Sequence, residues 1–420
     1  MKVFKFGGAS INSAERIKNV SGIIQSFAAD KILVIISAMG KTTNQLEKVV
    51  ESFFAGDKQT ALALFDEIKK DHTEVALQLN GSVPAQFTDI FTEVEWLLHD
   101  KPVRDFDYYY DQVVCCGELL STVIVSHYMN LAGAANSWID VRDIVRTDDN
   151  FREAGIDWAF TQQKVNELVK PLLDTTGVVI TQGFIGATDE NESTTLGREG
   201  SDYSAAVFAN MLDAQSQTIW KDVEGVMNAD PKLFTDAVFI SELCYDEVIE
   251  MAYYGAQVIH PKTIKPLHNK NIPLHVRCFI KPSLPGTIIS NKAGQRLPPI
   301  IVLKQKQVLL HLRSKDYSFV EDTLVGKLHH LLNELKVRTN LSQNGAISLL
   351  CCLDDRADKI EKLALAASEY FEVQVQKNLT LLTIRHYTSD VIQQLTADKT
   401  TVLMQQTTDT IQVLMQDETA

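Results

Sequence analysis

Apolar runs alternate with amphipathic stretches over the first 290 residues of the chain. The segment KILVIISAM at 31–39 is a continuous apolar run between polar residues, which is typical of a strand buried on both faces. GVVITQGFIG at 177–186 is a second run of this kind. Ile17, Val20 and Ile24 recur at helical spacing before the first run. The alternation predicts an α/β fold, in which a mostly parallel sheet has helices on both faces.

Further elements of this region follow from the same pattern. Ser13 is a suitable N-cap for the helix that follows it. Helices are predicted from Asp107 to Leu131, over 201–214 and over 241–256, and strands over 217–222 and 272–279.

The composition changes at ISNKAGQRLPPI, residues 289–300, where consecutive prolines after a polar stretch predict a linker. Beyond it the elements are shorter. Strands are predicted over 307–314, 337–343, 346–354, 373–378, 379–387, 401–409 and 410–417, and helices from Phe319 to Leu335, from Asp358 to Tyr370 and over 389–396. This is a β-α-β-β-α-β pattern followed by part of a second one. We therefore expect one domain over 1–292 and a second region over 300–420 with one full and one partial unit.

The chain has 420 residues, which is too long for one small core, so two or three domains are the natural expectation. Hydrophobic residues make up 45% and charged residues 22%, as in an ordinary globular protein. The net charge of −14 argues against a general nucleic-acid surface. It does not argue against small anionic ligands, which need only a local positive site.

The chain begins with a strand that contains a lysine, which is unlike a signal peptide, and we find no apolar run long enough to span a bilayer. We therefore expect a cytoplasmic protein with no membrane partner. The six cysteines include two adjacent pairs, Cys115–Cys116 and Cys351–Cys352, and they show no C-x-x-C spacing. This pattern indicates reduced, mostly buried thiols.

The opening stretch MKVFKFGGAS places a lysine inside the first predicted strand and two glycines directly after it. Lys5 precedes Gly7 and Gly8, and Ser10 follows them. Glycines at a strand end let backbone amides approach an anion. The spacing differs from the G-x-x-x-x-G-K-[S/T] phosphate loop, in which the lysine comes after the glycines.

The sharpest local feature is TLGREGSDYSAAVFA at 195–209. Arg198, on the glycine-rich lead-in to a predicted helix, suits a bidentate pair with a carboxylate or phosphate. Ser201 suits a helix cap. Asp202, in the first helical turn, either complements the helix dipole or binds an amine.

Two further polar features lie next to apolar elements. Glu118 in CCGELLST lies in a mostly apolar helix, where it needs a partner unless it is an ordinary surface glutamate. SAMGKTTN at 37–44 follows a buried strand, and the ligands of open α/β sheets lie beyond such strand ends.

Two later segments also suit an anionic ligand. IWKDVEGVMNADPK at 219–232 follows a strand and contains Asp222 and Lys232, although its composition equally suits a β-turn. In YGAQVIHPK, a proline favours the first position of a helix, so that Lys262 would stand at a helix N-terminus, where anions bind.

These stretches occur together and in the order found in aspartate kinases of the amino acid kinase family. KFGGAS resembles the family's opening K-F-G-G-T/S-S, and ITQGFIG followed by TLGREGSD resembles its central signature. IWKDVEGVMNADP and YGAQVIHPKTI resemble its later nucleotide-side segments, and the tail resembles ACT domains, which bind amino-acid effectors. The resemblance implies an amino acid kinase fold followed by an ACT-like, ferredoxin-like α/β regulatory region.

The resemblance also implies roles for individual residues. Lys5 and Asp202 would be catalytic, with Lys5 touching the transferred phosphoryl group and Asp202 facing the substrate amine. Arg198 would pair with the α-carboxylate of aspartate. The aspartate site would be lined by Thr43, Glu118, Phe184, Arg198, Ser201 and Asp202. The ATP site would include Lys5, Gly7, Gly8, Ser10, Lys221, Asp222, Lys232 and Lys262.

The implied reaction needs few protein groups. The β-carboxylate of L-aspartate is already ionised at neutral pH, because an unperturbed Asp side chain has a pKa near ~3.9, so no general base is required. The enzyme supplies alignment and positive charge around a loose transition state. ATP oxygens would hold most of the Mg²⁺ coordination, so we do not expect a dedicated protein metal cluster.

Four positions on the nucleotide side depart from the family pattern. The family usually has Lys at Gln257, and often Arg at Lys232, Tyr at Met227 and Thr at Lys221. We hypothesise that Lys221 or Lys262, with Lys262 favoured, supplies the positive charge missing at Gln257.

The tail departs from the pattern as well. Lysine-regulated relatives commonly have Asp at the position of Arg338, and the second ACT unit ends without its usual final helix. The effector therefore stays open, and feedback by lysine is one option. ACT-type strands often complete their sheets across a subunit interface, so open edges favour a homodimer.

The leading hypothesis is an ATP-dependent aspartate kinase that makes 4-phospho-L-aspartate for lysine, threonine and methionine biosynthesis. Glutamate, acetylglutamate, carbamate and uridylate kinases share the fold, but the ACT-like tail and the KFGGAS and GREGSD pair argue against them. A catalytically impaired, effector-binding regulator is the alternative from another class, and Gln257 motivates it. Coincidental motifs in an unrelated α/β protein are the least favoured interpretation.

Overall fold

The computed structural model describes residues 1–256, 258–292 and 296–417, so Gln257 lies outside the described residues. The chain forms two compact units. The first unit comprises Met1–Val226, Phe239–Ile249 and Ile259–Gly294, and the second comprises Met227–Val238, Glu250–Val258 and Gln295–Ala420. The predicted domain limits of 1–292 and 300–420 stay a prediction.

The region up to residue 290 contains the elements of an α/β fold. Its strands are β1 (Lys2–Phe6), β2 (Ile32–Ile36), β3 (Ser137–Trp138), β4 (Val178–Gln182), β5 (Ile185–Ala187), β6 (Ser193–Thr195), β7 (Ser216–Lys221), β8 (Val226–Met227), β9 (Phe239–Ile240), β10 (Glu242–Cys244), β11 (Leu274–Cys278) and β12 (Thr287–Ser290). Its helices are α1 (Ala14–Gln25), α2 (Thr42–Phe54), α3 (Lys58–Asn80), α4 (Gln86–His99), α5 (Phe106–Leu131), α6 (Trp158–Lys164), α7 (Lys170–Thr176), α8 (Gly200–Met211), α9 (Tyr245–Tyr254) and α10 (Pro261–Asn269). As predicted, Ser13 caps α1, and its Oγ accepts the Arg16 amide at 3.3 Å.

Strand β1 lies in the middle of the larger sheet, whose order is β10-β12-β11-β7-β1-β2-β4-β3. It pairs in parallel with β2 and β7, in a register that places Lys5 beside Ile35 and Ile219. The other pairings in this sheet are also parallel, except that β11 and β12 are antiparallel. The prediction of a mostly parallel sheet is confirmed. The segments that follow β1, β2, β4 and β7 meet at one edge of this sheet, where ligands of such folds bind.

Helix α5 is a core helix of the first unit. Every residue from Val113 to Ser126 is buried. Among the described residues, α5 is long and apolar enough to cross a membrane by length and composition, and 83% of its most apolar window is buried inside the protein. The expectation that the chain holds no apolar run of that length is therefore wrong, but the burial of this run is that of a core helix.

The second unit contains an antiparallel sheet with the order β14-β15-β13-β16-β18-β17. Its elements are β13 (Ile300–Ser314), α11 (Asp322–Glu334), β14 (Thr339–Asn344), β15 (Ser348–Asp354), α12 (Ala357–Ala367), β16 (Phe371–Arg385), α13 (Ser389–Thr396), β17 (Lys399–Gln406) and β18 (Thr410–Asp417). Alternate residues of β13, such as Leu310 and Leu312, pack with Leu328 of α11 and Leu363 of α12. This antiparallel sheet with its helices confirms the ACT-like prediction, and the division into one full and one partial unit stays a prediction.

Three predicted elements differ in the structure. The run at 177–186 forms two strands, because the chain turns at Phe184, where φ is +73°. The helix predicted over 241–256 begins as strand β10, which pairs with β12. The strands predicted over 373–378 and 379–387 are one strand, β16, because both halves pair with β13.

Candidate active site

Lys5 and Asp202 come from distant parts of the sequence and form an ion pair in the structure. The Nζ atom of Lys5 lies 2.7 Å from Oδ1 of Asp202, and the two side chains are 12% and 6% exposed. Lys5 belongs to β1, whereas Asp202 lies in the first turn of α8, where the helix dipole favours a negative charge. The ammonium has three donors, so this pair leaves it able to bind an anionic ligand as well.

Glu118 of α5 is buried, with 2% of its surface exposed, so it is not a surface glutamate. Its Oε1 accepts the Ala38 backbone N–H at 3.2 Å, and its Oε2 has no hydrogen-bond partner among the described residues. Burial raises the pKa of Glu118 to about 8, and the Ala38 amide and the charge of Lys5 oppose this rise. A buried carboxyl oxygen without a partner, within electrostatic reach of a lysine, is typical of a group that meets a ligand.

The loop after β1 packs closely against the segment after β2 and passes beside the Lys5 ammonium. A Cβ at Gly8 would lie 2.6 Å from the Ala38 carbonyl oxygen, and a Cβ at Gly7 would lie 3.5 Å from Lys5 Nζ. Ser10 is fully buried, and its Oγ donates to the Gly7 carbonyl at 2.6 Å. The first contact excludes a side chain at Gly8, because the atom that it would meet belongs to the backbone.

Arg198 lies on the turn between β6 and α8. The residues on either side, Gly197 and Glu199, have φ values of +74° and +53°. The Arg198 side chain is exposed, and within the described part of the chain it has no hydrogen bond or ion pair. Helix α8 begins at Gly200, so Ser201 lies inside its first turn and does not occupy the N-cap position. The guanidinium is thus available to a ligand beside the first turn of α8.

Phe184 contacts the same turn from the strand side. A Cβ at Gly200 would lie 2.6 Å from Phe184 Cδ2, and a Cβ at Gly183 would lie 2.7 Å from Ser201 Cβ. The Phe184 amide donates to Ser204 Oγ at 2.9 Å. Glycines at these two contacts let the TQGF and GREGSD segments pack against each other.

The other predicted site residues lie at strand and helix ends. Thr43 is half-buried in the first turn of α2, which follows β2. Lys221 is the last residue of β7, and Asp222 follows it at the surface. Lys232 is exposed and belongs to the second unit, and its amide donates to Asp230 Oδ1 at 2.9 Å.

Lys262 is the second residue of α10, which begins at Pro261 as predicted. Its Nζ donates to the Leu196 carbonyl at 3.0 Å and lies 4.6 Å from the centre of the Tyr203 ring. Burial lowers the pKa of Lys262, and the charge of Glu153 opposes this. The ammonium therefore contacts the lead-in to the Arg198 turn, and its assignment to the ATP site stays a prediction.

Sequence reasoning missed Asp111, which is fully buried in α5. Its carboxylate accepts the backbone amides of Arg152 and Thr195 at 2.9 and 2.8 Å, and the Thr195 hydroxyl at 2.7 Å. A signal was present in the sequence, since Asp111 precedes Glu118 by two helical turns and so lies on the same helix face.

Comparison with known proteins gives the family. The profile of the amino acid kinase family matches residues 1–278. A bifunctional aspartokinase/homoserine dehydrogenase 2 of Zea mays is 33% identical over 297 residues, which cover 68% of this chain and 32% of the relative. The chain thus spans about a third of the length of such plant relatives. Lysine-sensitive aspartokinase 3 of Escherichia coli is 29% identical over 392 residues, which cover 91% of this chain and 86% of the relative.

A solved structure resembles both units of the chain. Escherichia coli aspartokinase III in complex with aspartate and ADP matches with a TM-score of 0.82 and 26% identity, over 99% of this chain and 96% of that one. The chain belongs to the amino acid kinase family. The predicted fold, an amino acid kinase fold followed by an ACT-like region, is confirmed, and so is the resemblance to aspartate kinases.

Proposed function

We propose that the protein is an aspartate kinase, which transfers a phosphoryl group from ATP to the β-carboxylate of L-aspartate and forms 4-phospho-L-aspartate. The observation that carries the proposal is the Lys5–Asp202 ion pair within electrostatic reach of Glu118, whose buried Oε2 has no partner among the described residues. The relatives named aspartokinase support it, and the Escherichia coli protein was solved with aspartate and ADP.

Three charged side chains would recognise the amino-acid part of the substrate. Arg198 would form a bidentate pair with the α-carboxylate, because its exposed guanidinium is unpaired within the described residues. Glu118 and Asp202 would face the α-ammonium group. An ammonium beside Glu118 favours the ionised carboxylate, so substrate binding would release the proton that burial otherwise retains there. Thr43, Phe184 and Ser201 would complete the site.

Lys5 would stabilise the charge that develops on the transferred phosphoryl group. Its side chain is held by Asp202, so little reorganisation is needed during the reaction. The aspartate β-carboxylate is itself the nucleophile, so the protein needs to align it and does not need to deprotonate it. Attack forms the new O–P bond while the bond to the ADP leaving oxygen breaks.

The loop after β1 would hold a phosphate group. The Lys5 ammonium beside Gly7 would supply positive charge, and glycines at positions 7 and 8 would let the backbone approach the phosphate. The described residues contain no cluster of three or more His, Cys, Asp or Glu side chains able to hold a metal ion. We therefore assign most of the Mg²⁺ coordination to the nucleotide oxygens, where the ion would neutralise phosphate charge. Lys221, Asp222 and Lys262 are the proposed nucleotide-side residues of the first unit, with Ser10 supporting the loop, and the role of Lys232 stays a prediction.

The ACT-like region would bind an amino-acid effector, and the chain would form a homodimer. The Escherichia coli relative is named lysine-sensitive, which makes lysine a candidate effector here. Arg338 stands where lysine-regulated relatives commonly have Asp, so other amino acids belong in the same test.

The test of the proposed activity is a substrate panel. The protein would be incubated with Mg-ATP and aspartate, glutamate, acetylglutamate, carbamate or uridylate, with ADP release followed and acyl phosphate trapped by hydroxylamine. We expect turnover with L-aspartate alone. Binding of aspartate or lysine without ADP release would instead favour the catalytically impaired regulator, the second candidate, which Gln257 motivates.

A further inference from the structure

Strand β6 is fixed by side chains of α5 and not only by its partner strand. Gln112 bonds the backbone of Ser193 twice, donating from Nε2 to the carbonyl at 2.8 Å and accepting the amide at 3.0 Å. Asp111 accepts both the amide and the hydroxyl of Thr195. The Thr195 carbonyl accepts the Ala154 amide at 3.0 Å, so every polar group of Thr195 is bonded.

We propose that Asp111 is a positioning residue, which fixes Thr195 and thereby sets the Arg198 turn at a defined distance from Glu118 on the same helix. The role in substrate binding rests on the proposed function, whereas the structural coupling does not. Asp111 and Glu118 are seven residues apart, which corresponds to about 10 Å along an α-helix. Helix α5 would thus carry both Glu118, which meets the substrate ammonium, and Asp111, which positions the turn of Arg198. Arg198 in turn meets the substrate carboxylate.

The chain between the anchor and Arg198 has little freedom. Only Leu196 and Gly197 lie between Thr195 and Arg198, and the left-handed Gly197 packs so closely that a Cβ there would lie 3.1 Å from the Arg152 carbonyl oxygen. The Arg152 amide is itself held by Asp111. A shift of the Asp111 carboxylate would therefore displace both Thr195, which leads into the turn, and the Arg152 backbone, which packs against Gly197.

The carboxylate of Asp111 is suited to this anchoring role. Burial raises its pKa to about 6, and the Arg152 amide, the two groups of Thr195 and the Arg152 charge oppose the rise. The group is therefore mainly ionised at neutral pH, and hydrogen bonds to an ionised acceptor are stronger than those between neutral groups. These hydrogen bonds compensate the buried charge of Asp111, so a loosened turn would leave that charge uncompensated.

The opposite side of the turn is held by α10 and the residue before it. The His260 amide donates to Glu199 Oε2 at 3.0 Å, and Lys262 donates to the Leu196 carbonyl. These bonds act on positions 196 and 199, on either side of Gly197 and Arg198. Asp111 acts on the Arg152 amide and on Thr195 of the strand that enters the turn, so its contribution can be changed without altering the bonds at positions 196 and 199.

Thr195→Val tests the proposal, with Thr195→Ser as its matched control. Valine keeps the shape and the amide bond but removes the hydroxyl that donates to Asp111, whereas serine keeps that hydroxyl. For Thr195→Val we expect the KM for aspartate to rise about ten-fold, the loss expected for one charge-assisted hydrogen bond, while the KM for ATP stays within about two-fold. Thr195→Ser should stay within about two-fold of the unsubstituted protein for both substrates.

Amide hydrogen exchange provides a readout that does not depend on the substrate. Thr195→Val should accelerate exchange in 195–200 and leave the core of α5 unchanged, whereas Thr195→Ser should not. Equal exchange in 195–200 for both variants would overturn the positioning role, even if the protein turned over no aspartate. A wild-type protein inactive toward aspartate would overturn the proposed function alone, and an unchanged KM despite faster exchange would overturn the link between the turn and substrate binding.

Discussion

Lys5 and Glu118 show how burial gives two ordinary side chains their specific chemistry. Lys5 is held at 2.7 Å from a carboxylate in a mostly buried setting, where an ammonium acts on a phosphoryl group more strongly than in water. Glu118 is one of the buried acids of α5, and its Oε2 has no partner among the described residues. Each property can be tested by one substitution.

Lys5→Met should abolish most of the kinase activity. Methionine keeps the apolar stem of the side chain and removes only its charged end. We expect kcat to fall by about 100-fold or more, because the charge that the proposed function places opposite the transferred phosphoryl group is lost. Steady-state ADP release measures this, and circular dichroism checks that the variant is folded.

Lys2→Met is the matched control, because Lys2 lies on the same strand and pairs with Asp30 at 2.7 Å. It should retain near-wild-type activity. Full activity in Lys5→Met would overturn the assignment of the phosphoryl site.

Glu118→Gln should stabilise the ligand-free protein more at pH 9 than at pH 5. The pKa of Glu118 is about 8 when folded, against an ordinary value of 4.5, so the folded state holds the proton more tightly. The resulting stability is fully present below about pH 4.5 and is lost as pH rises through 8. The glutamine stays neutral, so its gain in Tm over wild type should be larger by several degrees at pH 9.

Differential scanning calorimetry at the two pH values measures this gain. The exposed Glu51, replaced by Gln, serves as the control and should show no such pH-dependent gain. An equal effect of Glu118→Gln at both pH values would contradict the buried, proton-holding state of this residue.

At the scale of elements, glycine decides where one segment can approach another. A Cβ at Gly8 would lie 2.6 and 2.8 Å from the carbonyl oxygens of Ala38 and Gly40, and Gly117 of α5 lies against Ala38 and Leu46. These contacts bring the ends of β1 and β2 and the middle of α5 together. The predicted site therefore depends on element packing as much as on its charged side chains.

Gly8→Ala should lower both activity and stability, since the added methyl group would meet backbone atoms that cannot move away without displacing the loop. We expect a destabilisation of about 1–3 kcal/mol, as for overpacking elsewhere, together with a marked rise in the KM for ATP. Urea unfolding and steady-state kinetics measure the two effects.

Gly22→Ala is the control, because it lies in α1 with no atom within 4 Å of the added Cβ. It should stabilise the protein by about 0.5–1 kcal/mol through its helix propensity and leave the kinetics unchanged. A neutral Gly8→Ala variant would show that the loop after β1 is looser than the structure indicates.

At the scale of the whole molecule, the sheet of the second unit bears on assembly. Its order places β14 and β17 at the two ends, and edge strands present backbone groups that can pair with another chain. We expect a homodimer in solution, with light scattering after gel filtration giving about twice the 46.9 kDa of a single chain. A mass of 46.9 kDa at micromolar concentration would contradict the dimer.

Local signals in the sequence predicted much of the fold. The alternation of apolar runs and helical spacing predicted the parallel sheet, since strand and helix periods depend on near neighbours in the chain. The grouping of Lys5, Glu118 and Arg198 in one site was inferred from motifs whose order resembles one family, and it stays a prediction. The predicted ends of elements were less accurate where they depended on strand pairing. Strand β10, for example, is a strand because β12 lies beside it.

Long-range contacts explain what the sequence did not reveal. Asp111 and Thr195 are 84 residues apart, and Glu118 and the Ala38 amide are 80 residues apart. Neither contact leaves a local periodic signal. The sequence by itself determined the fold class, the ACT-like tail and the residue types of the proposed site, because those follow from local pattern and motif. Only the tertiary structure decided that Glu118 is buried with one oxygen unpartnered among the described residues, that Lys5 meets Asp202 and that Asp111 accepts hydrogen bonds from Thr195 and Arg152, because burial and charge pairing arise when distant segments pack together.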